Sequence, residues 1–151
     1  MSYYNRRLKP SSRLVTLTAS RTLTDRDDDK ILLMGASGAA LTFTLPAASG
    51  SGLRYKFMVS VVNTSNYIVA VANASDTIDG SMTSLNDSAD TMSGWETSAT
   101  SDTITLNGTT TGGVAIGDWF EVIDIATNQW AVTGITTSSG TEATPFSAAV
   151  S

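Results

Sequence analysis

Three carboxylates close together in the chain are the residues best placed to do chemistry: Asp118, Glu121 and Asp124. A pair of carboxylates can cleave a glycosidic bond when one acts as the acid and the other as the base or nucleophile. Residues three apart on a strand point to opposite faces, so Glu121 cannot share a pocket with either aspartate unless the strand bulges. We therefore interpret all three as strand-end and hydrogen-bonding carboxylates.

The 151-residue chain contains no histidine and no cysteine. Histidine is the commonest general base and metal ligand, and cysteine supplies thiolates and disulfides. Most hydrolase and metalloenzyme designs are therefore excluded, and no Ser–Lys spacing typical of a nucleophile stands out. The sequence predicts a protein that is not an enzyme and that has no catalytic residues, cofactor or metal.

Two segments resemble ligand-binding loops in part of their sequence. Residues 25–29 place aspartates at alternate positions, as a calcium loop does, but an EF-hand needs Gly and Glu where this chain has Lys30 and Ala36. Residues 47–52 resemble a phosphate-binding loop in glycine content alone, because they contain no lysine and no helix is predicted after them. We interpret the first segment as a solvated turn and the second as a flexible connection.

Five aromatic residues raise the alternative of a sugar-binding platform. Aromatic side chains can stack on a sugar ring, but on strands they more often fill the core. The core interpretation is the stronger one for this set, which comprises Tyr55, Tyr67, Trp95, Trp119 and Trp130.

Charge is divided unevenly along the chain. All nine Lys and Arg lie in residues 1–56 with only four aspartates, a net charge of +5, whereas the ten acids beyond residue 56 give −10. The acidic portion would be repelled by phosphate, which disfavours nucleic acid as a partner. A positive arm and a negative body instead predict binding between protein subunits that weakens as salt screens the charges. A chance scatter of few charges is the alternative.

Composition predicts the fold class. Ser and Thr make up 43 of the 151 residues, and their hydroxyls compete with helical hydrogen bonds, whereas Thr, Val and Ile suit the pleated strand. The length suits one domain. We predict an all-β protein, a single β-sandwich or β-barrel of antiparallel strands with an extended basic N-terminal arm. The predicted division is arm 1–13, β-rich body 14–136 and polar C-terminal tail 137–151.

Alternation and turn residues predict the individual strands. Strands 53–62 and 67–71 are expected to pair as an antiparallel hairpin, and strands 119–126 and 129–136 as a second one across Thr127 and Asn128. Residues 76–80 suit a short edge strand and turn. The other predicted strands span 14–18, 31–34, 41–45 and 103–106.

Two regions of the predicted body suggest contact with other subunits. Both faces of strand 119–126 are mostly apolar, so we expect one face to be covered by the core and the other by a neighbour. Residues 81–101 are predicted to form an irregular loop, and loops this long are usually functional or interfacial. Met82, Met92 and Trp95 are its candidate interface residues.

No apolar run in the sequence is long enough for a signal peptide or a membrane span. The sequence therefore predicts a protein that is made in a cytoplasm and has no membrane partner.

Three stretches resemble small β-rich structural proteins of tailed bacteriophages, particularly capsid decoration or cement proteins, and are also similar to tail-fibre modules. They are LTFTLPAASGSGLRYKFMVSV at 41–61, DTIDG at 76–80 and GDWFEVIDIATNQWAVTG at 117–134. The shared features are an LPAASGSG turn before an aromatic-bearing strand, a DxIxG turn, and a GDWxEV hairpin. The resemblance covers about residues 31–136.

This resemblance implies assembly without chemistry. It implies a virion protein on the surface of the head shell that stabilises the capsid, with the major capsid protein or other virion subunits as partners and with a dimer or trimer as its own state. A tail-fibre, spike or baseplate component that binds host glycans or another tail protein is the alternative. The N-terminal arm would dock on neighbouring subunits through Tyr3, Tyr4, Arg6, Arg7, Lys9 and Arg13.

Overall fold

A computed structural model describes residues 13–151. Within this range the chain forms twelve strands and one short 3-10 helix at Asp25–Asp27. The strands are β1 (Leu14–Leu17), β2 (Arg21–Thr22), β3 (Lys30–Met34), β4 (Leu41–Thr44), β5 (Arg54–Val59), β6 (Tyr67–Ala70), β7 (Thr77–Asn86), β8 (Met92–Glu96), β9 (Thr103–Leu106), β10 (Trp119–Ala126), β11 (Gln129–Ser138) and β12 (Phe146–Ser147).

The strands form two sheets that pack on each other as a sandwich, which confirms the all-β prediction. The seven-stranded sheet has the order β1-β3-β5-β10-β11-β7-β8, and the five-stranded sheet has the order β12-β9-β6-β4-β2. Both sheets are mixed, because β1-β3-β5, β2-β4-β6 and β11-β7 pair in parallel. The prediction of purely antiparallel strands is therefore wrong in this respect.

The first six strands alternate between the two sheets. Strands β1, β3 and β5 lie side by side in one sheet, and β2, β4 and β6 lie side by side in the other. A parallel neighbour needs a crossover connection, and here each crossover is itself a strand of the opposite sheet. The predicted hairpin of 53–62 with 67–71 is consequently wrong, since β5 and β6 belong to different sheets.

The second predicted hairpin is confirmed. Strands β10 and β11 pair antiparallel, with Val122 opposite Val132. At the turn, Asn128 adopts a positive φ of 63°, a conformation that asparagine tolerates better than most residues. Further along β11, Gly134 faces Phe120 so closely that an added Cβ would lie 2.4 Å from the Phe120 Cβ atom.

Aromatic side chains fill the space between the sheets. The rings of Phe57 and Phe120 stack within the seven-stranded sheet, with centroids 5.1 Å apart. Phe43 from the five-stranded sheet stacks on Phe57 at 6.0 Å. All three rings are buried, so this stack joins the two sheets across the core.

Residues 81–101 do not form the predicted irregular loop. They contain most of β7 and all of β8, which pair antiparallel with Met82 opposite Trp95. Strand β7 is also an interior strand, because it pairs in parallel with β11 along ten residues. In the predicted tail, Phe146 of β12 is buried and pairs with Ile104 of β9.

Candidate protein-binding surface

The seven-stranded sheet has one side turned away from the five-stranded sheet, which we call the outer face. Side chains alternate along a strand, so the outer residues of β5 are those between its buried Tyr55, Phe57 and Val59. Register extends this face to the neighbouring strands. Its larger side chains are Leu14, Ile31, Leu33, Arg54, Lys56, Met58, Asp79, Leu85, Met92, Glu96, Trp119, Glu121, Ile123 and Ile135.

Apolar side chains on the outer face form a continuous cross-strand row. Leu33 lies beside Met58, Met58 beside Trp119, and Trp119 beside Ile135. In this row Ile135 is 47% exposed, and Leu33, Met58 and Trp119 are half-buried. Leu14 and Leu85 lie outside the row on the same face, and they are 49% and 38% exposed. Exposed apolar groups that adjoin one another are typical of a surface that another molecule covers.

Two charged contacts organise the centre of the outer face. The Lys56 ammonium lies over the Trp119 ring, 4.2 Å from its centroid. Arg54 Nε lies 3.8 Å from Glu121 Oε1. Both cations come from β5 and both partners from β10, so the basic side chains are fixed on one side of the β10–β11 hairpin.

Apart from the acidic run 25–29, which lies before β3, the charged residues of the seven-stranded sheet divide by sign across it. Basic residues lie at the β1-β3-β5 end, with Arg13 before β1, Lys30 beginning β3, and Arg54 and Lys56 on β5. The opposite end is acidic, with Asp79 on β7, Glu96 on β8, and Asp87 and Asp90 in the turn between them. The described residues hold all fourteen acids but only six of the nine Lys and Arg.

Asp124 fastens the 47–52 connection to the end of β10. Its carboxylate accepts hydrogen bonds from the backbone N–H groups of Gly50 at 2.7 Å, Ser51 at 3.0 Å and Ser49 at 3.1 Å. Burial alone would raise the pKa of Asp124, but the hydrogen bonds from Ser51, Gly50 and Ser49 outweigh it and lower the pKa to about 2. The loop therefore holds an anion, which is a carboxylate of the protein itself.

Asp118 is held by backbone in the same way, at the start of β10. It accepts hydrogen bonds from the N–H groups of Gly113, Ala115 and Thr137. Burial raises its pKa, and these hydrogen bonds offset part of that rise. Glu121 lies on the outer face, opposite the inward-facing Asp118 and Asp124, as the spacing predicts. The three carboxylates do not converge on one pocket.

The acidic run 25–29 forms the 3-10 helix and the turn after it. Asp27 pairs with the Arg21 guanidinium, and Asp28 Oδ1 accepts a hydrogen bond from the Arg54 N–H at 2.9 Å. Asp29 adopts a positive φ of 56°. Across residues 13–151, no three acidic side chains come together in a way that would hold a metal ion.

The three candidate interface residues of 81–101 lie in different environments. Met82 is buried in the core, whereas Met92 on the β8 edge is 69% exposed. Trp95 is half-buried and packs against the core, and its indole Nε1 has no hydrogen-bond partner within residues 13–151. Of the three, Met92 is the one freely accessible to a partner.

The predicted docking residues of the arm fall mainly outside the described residues, as Tyr3, Tyr4, Arg6, Arg7 and Lys9 all do. Arg13 is described and exposed, and its carbonyl accepts a hydrogen bond from the Ile31 N–H at 2.8 Å. The arm therefore joins the body at the β1 edge of the seven-stranded sheet.

The aromatic platform considered from the sequence does not form. Tyr55, Tyr67 and Trp130 are buried in the core, where Tyr55 and Trp130 pack with ring centroids 5.9 Å apart. Trp119 alone of the five faces outwards, on the outer face.

Sequence reasoning found the outer face only on β10, where apolar residues on both sides of the strand predict a second covered face. The contributions of Leu14, Ile31, Leu33, Met58 and Ile135 were missed. Unbroken apolar runs such as residues 31–34 carried the signal, because a strand with one solvent-facing side alternates instead.

Comparison with known proteins gives no match to any protein-family model, curated protein or solved structure. Among the described residues, no helix has the length and apolar character needed to cross a membrane.

Proposed function

We propose that this chain is a non-catalytic structural subunit that binds other protein subunits through the outer face and the N-terminal arm. In its specific form, it is a capsid decoration protein on the head shell of a tailed bacteriophage, as the sequence resemblance implies. The alternative is a tail-fibre, spike or baseplate component.

The observation that carries the proposal is the apolar row on the outer face. The core between the sheets accounts for the buried aromatic residues, but it does not account for Leu33, Met58, Trp119 and Ile135 side by side on the opposite surface. Burying such a row contributes about 25 cal/mol for each Å² of apolar surface removed from water. Burial of the row under a partner protein therefore stabilises the complex between that protein and this chain.

Charge supports the role given to the arm. Residues 1–12 contribute Arg6, Arg7 and Lys9 and no acid, while the rest of the chain carries an excess of eight negative charges. Such an arm is attracted to acidic protein surfaces, including those of neighbouring copies. A subunit that binds across capsomer boundaries adds buried area there, which stabilises the shell by mass action.

The non-catalytic part of the proposal draws on side-chain chemistry. The sequence has no histidine or cysteine, and Asp118 and Asp124 already accept several backbone hydrogen bonds each. A carboxylate held in this way is a structural anchor.

Low-resolution imaging of purified particles that contain or lack the chain tests the proposal. We expect added density on the head shell. Density confined to the tail would favour the alternative, and particles without the chain in either place would contradict both.

A deletion of residues 1–12 tests the arm. We expect it to abolish shell binding while leaving the thermal unfolding of the body unchanged, because the Arg13 hydrogen bond to β3 is retained. Arg6→Gln, Arg7→Gln and Lys9→Gln together should weaken binding strongly, whereas the control set Asn5→Gln, Ser11→Gln and Ser12→Gln should not. Retained binding after the deletion would contradict the role of the arm.

A further inference from the structure

The charges on the outer face are arranged with opposite signs on the two sides of the β10–β11 hairpin. Arg54 and Lys56 of β5 lie on one side, while Asp79 of β7 and Glu96 of β8 lie on the other. Between these charges, the outward residues of β10 and β11 are apolar apart from Glu121, Gln129 and Thr133, and Glu121 lies beside Arg54 of the same copy. When a second copy of such a surface is turned by 180° and placed against the first, the basic side of each copy faces the acidic side of the other.

Register places the opposite charges at the same height along the strands. Arg54 pairs with Ile123, Ile123 with Ala131, and Ala131 with Asp79. Consider a twofold axis that runs along the strand direction between β10 and β11, in the plane where two outer faces meet. The axis brings β5 of one copy over β7 of the other, and so Arg54 over Asp79.

The apolar row is matched by the same operation. Trp119 of β10 and Ile135 of β11 are cross-strand neighbours, and the half-turn places each over the other residue of the second copy. We propose that a second copy of this chain covers the outer face, in a twofold dimer with Trp119 against Ile135 and Arg54 against Asp79. Such an interface is isologous, because each pair of contacts occurs twice.

Packed sheets usually cross at about 30°, and this crossing does not break the match. Strands β5 and β7 lie about 7 Å from the axis, at a spacing of about 4.8 Å per strand. When the sheets cross midway between the Arg54 and Trp119 rows, Arg54 is displaced from Asp79 by about 5 Å and Trp119 from Ile135 by about 4 Å, which is within the reach of these side chains.

The size of the outer face suits a stable dimer. The half-turn overlaps six of the seven strands and leaves β1 outside the overlap. Six strands at about 4.8 Å span about 29 Å, and six residues of strand span about 20 Å, which gives about 600 Å² per copy. Standard protein interfaces begin at about 600 Å² per partner. A nucleic acid fits this face poorly, since Asp79 and Glu96 would repel phosphate.

The inference goes beyond the proposed function. A chain that bound the shell as a monomer would fail the following test and would still add density to the shell in the imaging experiment.

Sedimentation velocity of the full-length chain over a wide concentration range tests the dimer and its surface. We expect concentration-dependent dimers, with a dissociation constant raised at least about tenfold by Ile135→Arg, since a charge is then buried at the interface centre. The matched control is Ile68→Arg, which changes an outward-facing isoleucine on the five-stranded sheet and should leave the constant unchanged. A monomer at every concentration, or equal effects of the two variants, would overturn the proposal.

A charge exchange tests the twofold geometry itself. Arg54→Asp and Asp79→Arg should each weaken the dimer, because like charges then face each other, and the double variant should recover most of the lost affinity. Circular dichroism and thermal unfolding check that each variant is folded. A double variant weaker than both single variants would overturn the Arg54–Asp79 contact.

Discussion

The two sheets of this protein have different outward surfaces. Outward residues of the five-stranded sheet are small or β-branched, with three threonines around the single isoleucine, and they form a surface suited to water. On the central strands β4, β6 and β9 the solvent-accessible ones are Thr42, Thr44, Ile68, Ala70 and Thr105. The seven-stranded sheet instead presents Leu33, Met58, Trp119 and Ile135. Since one core stabilises both sheets, folding alone does not require this difference, and the partner binding that we propose would account for it.

The largest expected effect tests whether the outer face is a surface rather than a second core. Phe57 and Met58 are neighbours on β5 that point to opposite sides. Phe57→Ala should lower the free energy of unfolding by about 3–5 kcal/mol, because it leaves a cavity within the aromatic stack. Met58→Ala should cost less than about 1.5 kcal/mol. Urea unfolding at low protein concentration, where a dimer would dissociate, measures both, and equal losses would contradict the assignment of the two faces.

A second, intermediate effect concerns Asp124, which anchors the end of β10 beneath the outer face. Its pKa is lowered to about 2 in the folded protein. The Asp124 carboxylate therefore contributes its full stabilisation at pH values above the pKa that Asp124 has in the unfolded chain. This stabilisation disappears as the pH falls through the pKa that Asp124 has in the folded protein. Asp124→Asn should therefore lower the free energy of unfolding by about 2 kcal/mol at neutral pH. The loss should shrink between about pH 4 and pH 2.

Urea unfolding as a function of pH measures this effect. Asp87→Asn, in the exposed turn after β7, is the control and should change stability by less than about 0.5 kcal/mol. A loss of stability that is the same at pH 2 and pH 7 would show that Asp124 acts through packing rather than through its charge.

The smallest effect concerns the cation on the outer face. Lys56→Gln removes the charge above the Trp119 ring, and an exposed contact of this kind is worth about 0.5–1 kcal/mol. Lys56→Arg should retain the stability, because the guanidinium also stacks on an aromatic ring. If Lys56→Gln and Lys56→Arg unfolded at the same urea concentration, the contact would have no energetic role.

The local parts of the fold were predictable from the sequence. The β10–β11 hairpin was found because its two strands are adjacent and joined by a short turn at Asn128, and the bounds of β9 agree with the structure. Alternation within β5 also separates the buried Tyr55, Phe57 and Val59 from the outward residues, since side-chain direction depends only on the strand itself.

The long-range parts were not predictable. Strand β5 pairs with β3 and with β10, more than sixty residues later, and alternation carries no information about such partners. The sequence therefore favoured a local hairpin with β6, which was wrong. Residues 76–80 were predicted as a short edge strand and turn, but residues 77–80 begin the interior strand β7. The rest of β7 and all of β8 were missed because their Ser and Asp content resembles a loop, although Met82 and Ser84 alternate with the outward Thr83 and Leu85.

The candidate surface was predictable in part. The two apolar sides of β10 indicated a covered second face, but the row from Leu33 to Ile135 exists only once β3, β5, β10 and β11 are neighbours. Arg54 and Asp79 lie on opposite sides of the β10–β11 hairpin only because of the same strand order. Charge counting located the imbalance along the chain, and only the fold places it across one sheet.

Oxidative footprinting of the assembled protein, and of the free protein at a concentration low enough to dissociate a dimer, tests most directly whether another protein covers the outer face. Hydroxyl radicals oxidise accessible Trp and Met side chains, so Trp119 and Met58 report on this face alone, and the buried Met34 and Met82 serve as internal controls. We predict that oxidation of Trp119 and Met58 falls several-fold on assembly while that of the controls stays low and unchanged. Equal oxidation of Trp119 and Met58 in the free and assembled states would contradict the account.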